Sequence, residues 1–364
     1  MKKNISIITL LSGFALLIAG ALILSSCEGP AGLDGSNGAN GADGTDGING
    51  VDGADGVDGN GTCIVCHDSE VVLFAMKQQV ESSHHLEGGN YERSSASCSK
   101  CHNHQGFVEF ISTGAVAADI VDPAAINCRT CHNIHMAYDE TDWALTTEDA
   151  VTLDFGGETI DFGSSSNLCV NCHQFRTVSP MPVVGGDSVT ITSSRYGPHH
   201  GPHANNIWGI GGYLVAGSKT YPEAGSHPHA NNGCVQCHMA PTPYGGRSAG
   251  GHTFNMTYEY HEAVEGNIDA CTACHPSIED TESFDYNDVM TTMDGLVAQL
   301  EAKFVANGWI DEPGDSWNTP LRVSADEAGA MLNYKIITED RSRGVHNGAY
   351  MIALLTNSIE SITP

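Results

Sequence analysis

Twelve of the thirteen cysteines stand in six copies of one pentad, two cysteines separated by two residues with a histidine directly after the second. The copies are Cys63, Cys66 and His67; Cys98, Cys101 and His102; Cys128, Cys131 and His132; Cys169, Cys172 and His173; Cys234, Cys237 and His238; Cys271, Cys274 and His275. Two thiols at this spacing form thioethers to the vinyl groups of a porphyrin, and the adjoining imidazole becomes the proximal ligand of its iron. Paired cysteines also serve structural zinc and redox disulfides, but neither use requires a histidine after every second cysteine. The pattern therefore points to six haem c groups, attached through the twelve cysteines and ligated by the six pentad histidines.

The pentads run from Cys63 to His275, and over that span the chain resembles the multihaem c-type cytochromes with which bacteria respire extracellular or mineral acceptors. The resemblance implies electron transfer, with other cytochromes or redox proteins and an external metal or mineral acceptor as partners. Twelve histidines lie outside the pentads, twice what six bis-histidine irons need. A saturated iron cannot bind substrate, which favours a conduit over an enzyme.

Distal ligands are expected in loops near the pentads. In Ser82-Ser83-His84-His85 either histidine could serve, with His85 favoured. His135 follows His132 by three residues, so on a helical turn the two point to the same side and His135 reaches a neighbouring haem. His104, two residues after His102, stays unassigned. The loop Tyr196-Gly-Pro-His199-His200-Gly-Pro-His203 offers three candidates, His200 first and His199 second. His229 competes with His227. The segment Gly250-Gly251-His252-Thr253-Phe254 resembles a recurrent distal-ligand loop of multihaem cytochromes, whose glycines let the backbone approach closely. His346 is the one histidine of the last 89 residues and is expected to arrive as a ligand from far in sequence.

The elements that must position these residues are sparse. Glycine is abundant at 42 residues and aromatics are few, which argues against one conventional apolar core. Six haems between residues 63 and 275 leave too little chain to wrap each porphyrin in its own helical domain. The expected fold is a multihaem cytochrome c with a haem-packed core, little regular secondary structure, short helices, a small β-hairpin and a C-terminal helical segment. Residues 71–80 suit a short helix. Val151 to Phe155 and Glu158 to Phe162 alternate about Gly156-Gly157 as a hairpin would, and Ser188 to Thr192 reads as a strand. Val289, Met293, Leu296, Val297, Leu300 and Phe304 follow helical spacing up to Asn307-Gly308. Ser324-Ala-Asp-Glu327 is a capping-box pattern that opens a second helix, and Gly344-Val-His346-Asn opens a third. This ending resembles the nitrite reductase and hydroxylamine oxidoreductase group. Those nitrite reductases usually carry a pentad ending in lysine, and none occurs here.

The start of the chain reads as a bacterial lipoprotein signal. Lys2-Lys3 precede an apolar run from Ile5 to Leu24, and Leu24-Ser-Ser-Cys27 follows. Acylation of Cys27 would anchor the mature protein in a membrane. From Gly29 to Gly59 eleven glycines fall at every third position, a collagen-like period with a single proline. That composition favours a flexible acidic tether over a trimeric stalk, though the period would also permit an oligomer. The expected organisation is thus 1-26 signal peptide, 27-61 acylated cysteine and tether, 62-280 hexahaem domain and 281-364 helical segment. A formal charge of −29 makes nucleic acid and anionic lipid headgroups poor partners. The preferred function is electron transfer by an exported outer-membrane lipoprotein at the cell surface. Its rivals are a terminal reductase with one open iron and a polymerising cytochrome filament.

Overall fold

The helices are short wherever a pentad sits and long only toward the C-terminus, as the sequence leads one to expect. The computed structural model describes residues 67, 70–242, 248–278 and 283–362. The expected signal, Cys27, the glycine tract, Cys63 and Cys66 lie outside the described residues.

In chain order the helices are α1 (Glu70–Glu81), α2 (Ala96–His102), α3 (His104–Thr113), α4 (Cys128–Cys131), α5 (Ser166–Val170), α6 (His203–Trp208), α7 (Pro228–His238), α8 (Asp269–Thr272), α9 (Val289–Ala306), α10 (Ala325–Asp340) and α11 (Gly348–Ser361). Strands β1 (Val151–Thr152) and β2 (Thr159–Ile160) form the expected hairpin with Val151 opposite Ile160. A second hairpin pairs β4 (Thr257–Tyr260) with β5 (Ala263–Gly266). Strand β3 (Val189–Ile191) pairs antiparallel with β6 (Leu321–Val323), a partner far along the chain. Among the described residues no helix is long and apolar enough to cross a membrane.

The expectation of no conventional apolar core needs correction. Leu300 and Phe304 of α9, Met331, Leu332 and Ile336 of α10, and Met351, Leu354 and Leu355 of α11 are fully buried in one cluster. Phe175, Ile191 and Tyr196 from the middle of the chain join the same cluster, so residues on both sides of position 280 share one core. Complete burial of each such side chain contributes roughly 1.5–3 kcal/mol. Composition averaged over the chain hid this core, because glycine is spread unevenly: twelve fall in the 33 residues 29–61 and only six in the 84 residues after 280.

Local chemistry fixes the starts of the last two long helices. Ser324 accepts from the Glu327 N–H while Glu327 accepts from the Ser324 N–H, closing the capping box of α10. Asn347 caps α11 by accepting from the Tyr350 N–H at 3.1 Å. Buried asparagines then stitch the 205–219 stretch onto these helices. Asn333 accepts from the Tyr213 N–H at 2.7 Å and donates to the Tyr213 carbonyl at 2.8 Å. Asn357 does the same for Lys219, at 2.9 Å in both directions.

Candidate haem-binding sites

A pentad can hold a porphyrin only if both thiols and the imidazole share one side of the backbone. One helical turn achieves this, since residues three and four apart are neighbours on a helix. The His132, His173 and His275 N–H groups donate to the carbonyls of Cys128, Cys169 and Cys271 at 2.9, 2.9 and 2.8 Å, the closure of such a turn. His102 and His238 are the last residues of α2 and α7. The ten described pentad cysteines are free thiols.

Each pentad histidine has a histidine from elsewhere in the chain 6.0 to 6.5 Å away, and His173 also lies 5.1 Å from His203. Ring centroids lie 6.5 Å apart for His67 and His135, 6.0 Å for His102 and His199, and 6.2 Å for His132 and His252. They lie 6.0 Å apart for His173 and His85, 6.4 Å for His238 and His346, and 6.2 Å for His275 and His229. Two imidazoles bound on opposite sides of one metal at about 2 Å each hold their centroids roughly 6 Å apart. The pairs therefore fit an iron between them.

The outward nitrogens supply a second test. The Nδ1 atoms of His102, His132, His238 and His229 lie 3.0, 2.7, 2.8 and 2.9 Å from the carbonyls of Gly88, Trp143, Phe254 and Val345. A carbonyl can only accept, so Nδ1 carries the proton and Nε2 keeps its lone pair for a metal. His173 meets His203 Nδ1 to Nδ1 at 3.0 Å, and His346 meets the Asp340 carboxylate at 2.8 Å. Burial lowers the pKa of His85, His238, His229 and His252 and brings His199 and His203 down to about 4. Neutral imidazole is the form that ligates. Burial is the largest single influence and works against ionisation of Asp340, but His346, His203 and the Ser342 hydroxyl together hold the carboxyl below its usual range.

The remaining histidines are engaged otherwise. His84 is exposed and pairs with Glu87, leaving His85 to turn inward. His227 caps α7 by accepting from the His229 N–H. His104 meets the Thr130 hydroxyl at 3.1 Å, and His261 sits at the exposed tip of the β4–β5 hairpin against Tyr260. In the 199–203 loop the structure departs from the favoured order. His200 is largely exposed and reaches Glu339 at 2.5 Å, whereas His199 faces His102. The sequence reading did not foresee Asp340 or His203 as partners of ring nitrogens.

Loop geometry positions two of the outlying rings. Asp142, buried at the end of the third pentad's loop, accepts the N–H groups of His135, Met136, Ala137 and Tyr138 at 2.7, 3.1, 2.7 and 3.2 Å. The bond from Ala137, with those from its neighbours, holds the Asp142 carboxyl below its ordinary pKa. His135 takes φ 64°, and this carboxylate secures it there. His252 sits on a short turn held by its N–H to Gln79 at 3.1 Å. Gly250 at φ 68° passes so close to the Ala240 carbonyl that a Cβ would lie 2.0 Å from its oxygen. The close approach these glycines allow is thus to backbone as well.

The pentads also meet one another. Cys172 donates to the Lys100 carbonyl at 3.7 Å, joining the fourth pentad to the second. The fourth and fifth pentads meet where α7 breaks at Gly233 (φ 64°). A Cβ on Gly233 would stand 2.5 Å from the Ser166 hydroxyl, to which the Val235 N–H donates at 3.1 Å. The second, fourth and fifth attachment loops are therefore contiguous.

No protein-family model matches the chain, and no curated protein does. Its fold is similar to two solved structures, each 18% identical to it. The outer cell wall cytochrome OcwA matches with a TM-score of 0.46 over 78% of this chain and 50% of that one. The undecahaem cytochrome from the S-layer of Carboxydothermus ferrireducens matches with a TM-score of 0.43 over 78% of this chain and 41% of that one. The chain spans half the length of these two cytochromes or less.

Proposed function

We propose that the chain is a hexahaem c-type cytochrome that conducts electrons at the outer cell surface, between other cytochromes or redox proteins and an external metal or mineral acceptor. The observation that carries this reading is the pairing of every pentad histidine with one further histidine at 6.0 to 6.5 Å. The twelve pentad cysteines would hold the porphyrins and the six pentad histidines their proximal faces. His135, His199, His252, His85, His346 and His229 would hold the distal faces, with His199 taking the place first given to His200. Bound haem would supply one-electron chemistry between ferric and ferrous iron.

Imidazoles on both faces leave no position for a small substrate, which favours a conduit over a nitrite- or hydroxylamine-type reductase. The contiguous second, fourth and fifth attachment loops suit the same reading, because they bring neighbouring cofactor edges together. Export and anchoring rest on Cys27 and its preceding apolar run, and the glycine tract would hold the haem-bearing part away from the membrane.

Electron paramagnetic resonance of the oxidised, fully loaded protein tests this. Six low-spin ferric haems and no high-spin signal are expected. One stoichiometric high-spin haem would replace the conduit with a reductase.

A further inference from the structure

The ring nitrogens that face away from the paired sites are not treated alike. Four donate to backbone carbonyls and one meets another imidazole, but His346 meets a buried carboxylate. Asp340 is the last residue of α10, and its side chain is fully enclosed. Its Oδ1 accepts from His346 Nδ1 at 2.8 Å, and its Oδ2 accepts a short bond from the Ser342 hydroxyl. The nearby arginine Arg343 is paired instead with Asp294, and Arg341 is exposed at the helix end. The Asp340 carboxylate is therefore hydrogen-bonded to the His346 ring, with His203 close enough to feel the same charge.

We propose that Asp340 is a potential-setting residue, which lowers the midpoint potential of the haem held between His238 and His346. The proposal rests on the bis-histidine reading above. A carboxylate accepting the Nδ1 proton makes an imidazole a more basic ligand and fixes its orientation, and a more basic ligand stabilises ferric over ferrous iron. The opposite ring, His238, donates to the neutral Phe254 carbonyl, so of the two rings only His346 is hydrogen-bonded to the carboxylate. Ser342 moderates the effect, because its hydroxyl draws on the same carboxylate.

The test is a spectroelectrochemical titration of the full chain loaded with six haems, the electrode supplying one electron per iron. In Asp340→Asn, one of six midpoints should move upward and the other five should stay. In Ser342→Ala the same midpoint should move downward, since the carboxylate loses a competing donor. Opposite shifts at one haem are not what a purely structural role would produce. An Asp340→Asn protein with six haems and six unchanged midpoints overturns the proposal, and so does a Ser342→Ala shift in the upward direction. Where Asp340→Asn fails to load six haems, Ser342→Ala decides: a downward shift supports the proposal and no shift overturns it. Failure of the underlying bis-histidine reading would show separately, as a high-spin signal in the unsubstituted protein.

Discussion

His102 and His199 face one another with ring centroids 6.0 Å apart, while the adjoining His200 turns outward to Glu339. Replacing His199 by Ala should open one iron without releasing its porphyrin, because both thioethers and His102 remain. Reduced His199→Ala protein should bind one equivalent of carbon monoxide, and His200→Ala should bind none. The reverse result would restore His200 to the ligand set.

On the proposed reading the mature polypeptide carries six covalent haems, one for each pentad. Intact mass spectrometry after denaturation should show that increment. Replacing Cys63 and Cys66 by Ser should reduce the count to five and leave His67 and His135 with no iron between them, a change visible as loss of one low-spin signal.

Asp142 gathers four N–H groups around the His135 loop, and its pKa is depressed in the folded state. The stabilisation is therefore fully present above the unfolded carboxylate value, about 3.9, and is lost as pH falls through the lower folded value. Asp142→Ala should loosen His135 already at neutral pH. Carbon monoxide binding at one haem in the reduced variant, absent in the parent, measures this.

Leu332 is wholly buried in the shared core of α9, α10 and α11. Leu332→Ala should cost about 2–5 kcal/mol and lower the thermal midpoint, with the haem count unchanged at low temperature. Calorimetry and the haem absorbance together separate these effects.

Mass spectrometry of the native N-terminus should find Cys27 acylated and the first 26 residues absent. Retention of Met1 or Lys2 would remove the lipid anchor from the proposal.

What the sequence revealed, and what it hid, divides by the range of the interactions. The extent of α9 and the start of α10 were legible because helical spacing, the Asn307-Gly308 stop and the Ser324 capping box act within one or two turns. The strand at 188–192 was legible too, but its partner β6 was not, since no local signal joins residues 130 positions apart. The choice of His199 over His200 depends on Glu339, which α10 brings from the far end of the chain. His227 could have been set aside on local grounds. It directly precedes Pro228, and the residue before a proline at the first helical position is a natural cap. Asp340 carried no recognisable signal, because its role depends on the bend between α10 and α11 that turns His346 back toward it.

On the proposed pairing, iron joins residue 67 to 135, 85 to 173, 102 to 199, 132 to 252, 229 to 275 and 238 to 346. These spans overlap, so every position from 67 to 346 lies inside at least one closed loop. Metal would then staple the chain as disulfides staple small secreted proteins, by removing freedom from the unfolded state. No part of that stretch could be excised as a self-sufficient fragment without cutting a staple. Strong exogenous iron ligands such as cyanide should accordingly behave as denaturants, loosening segments far apart in sequence each time one iron exchanges its partner.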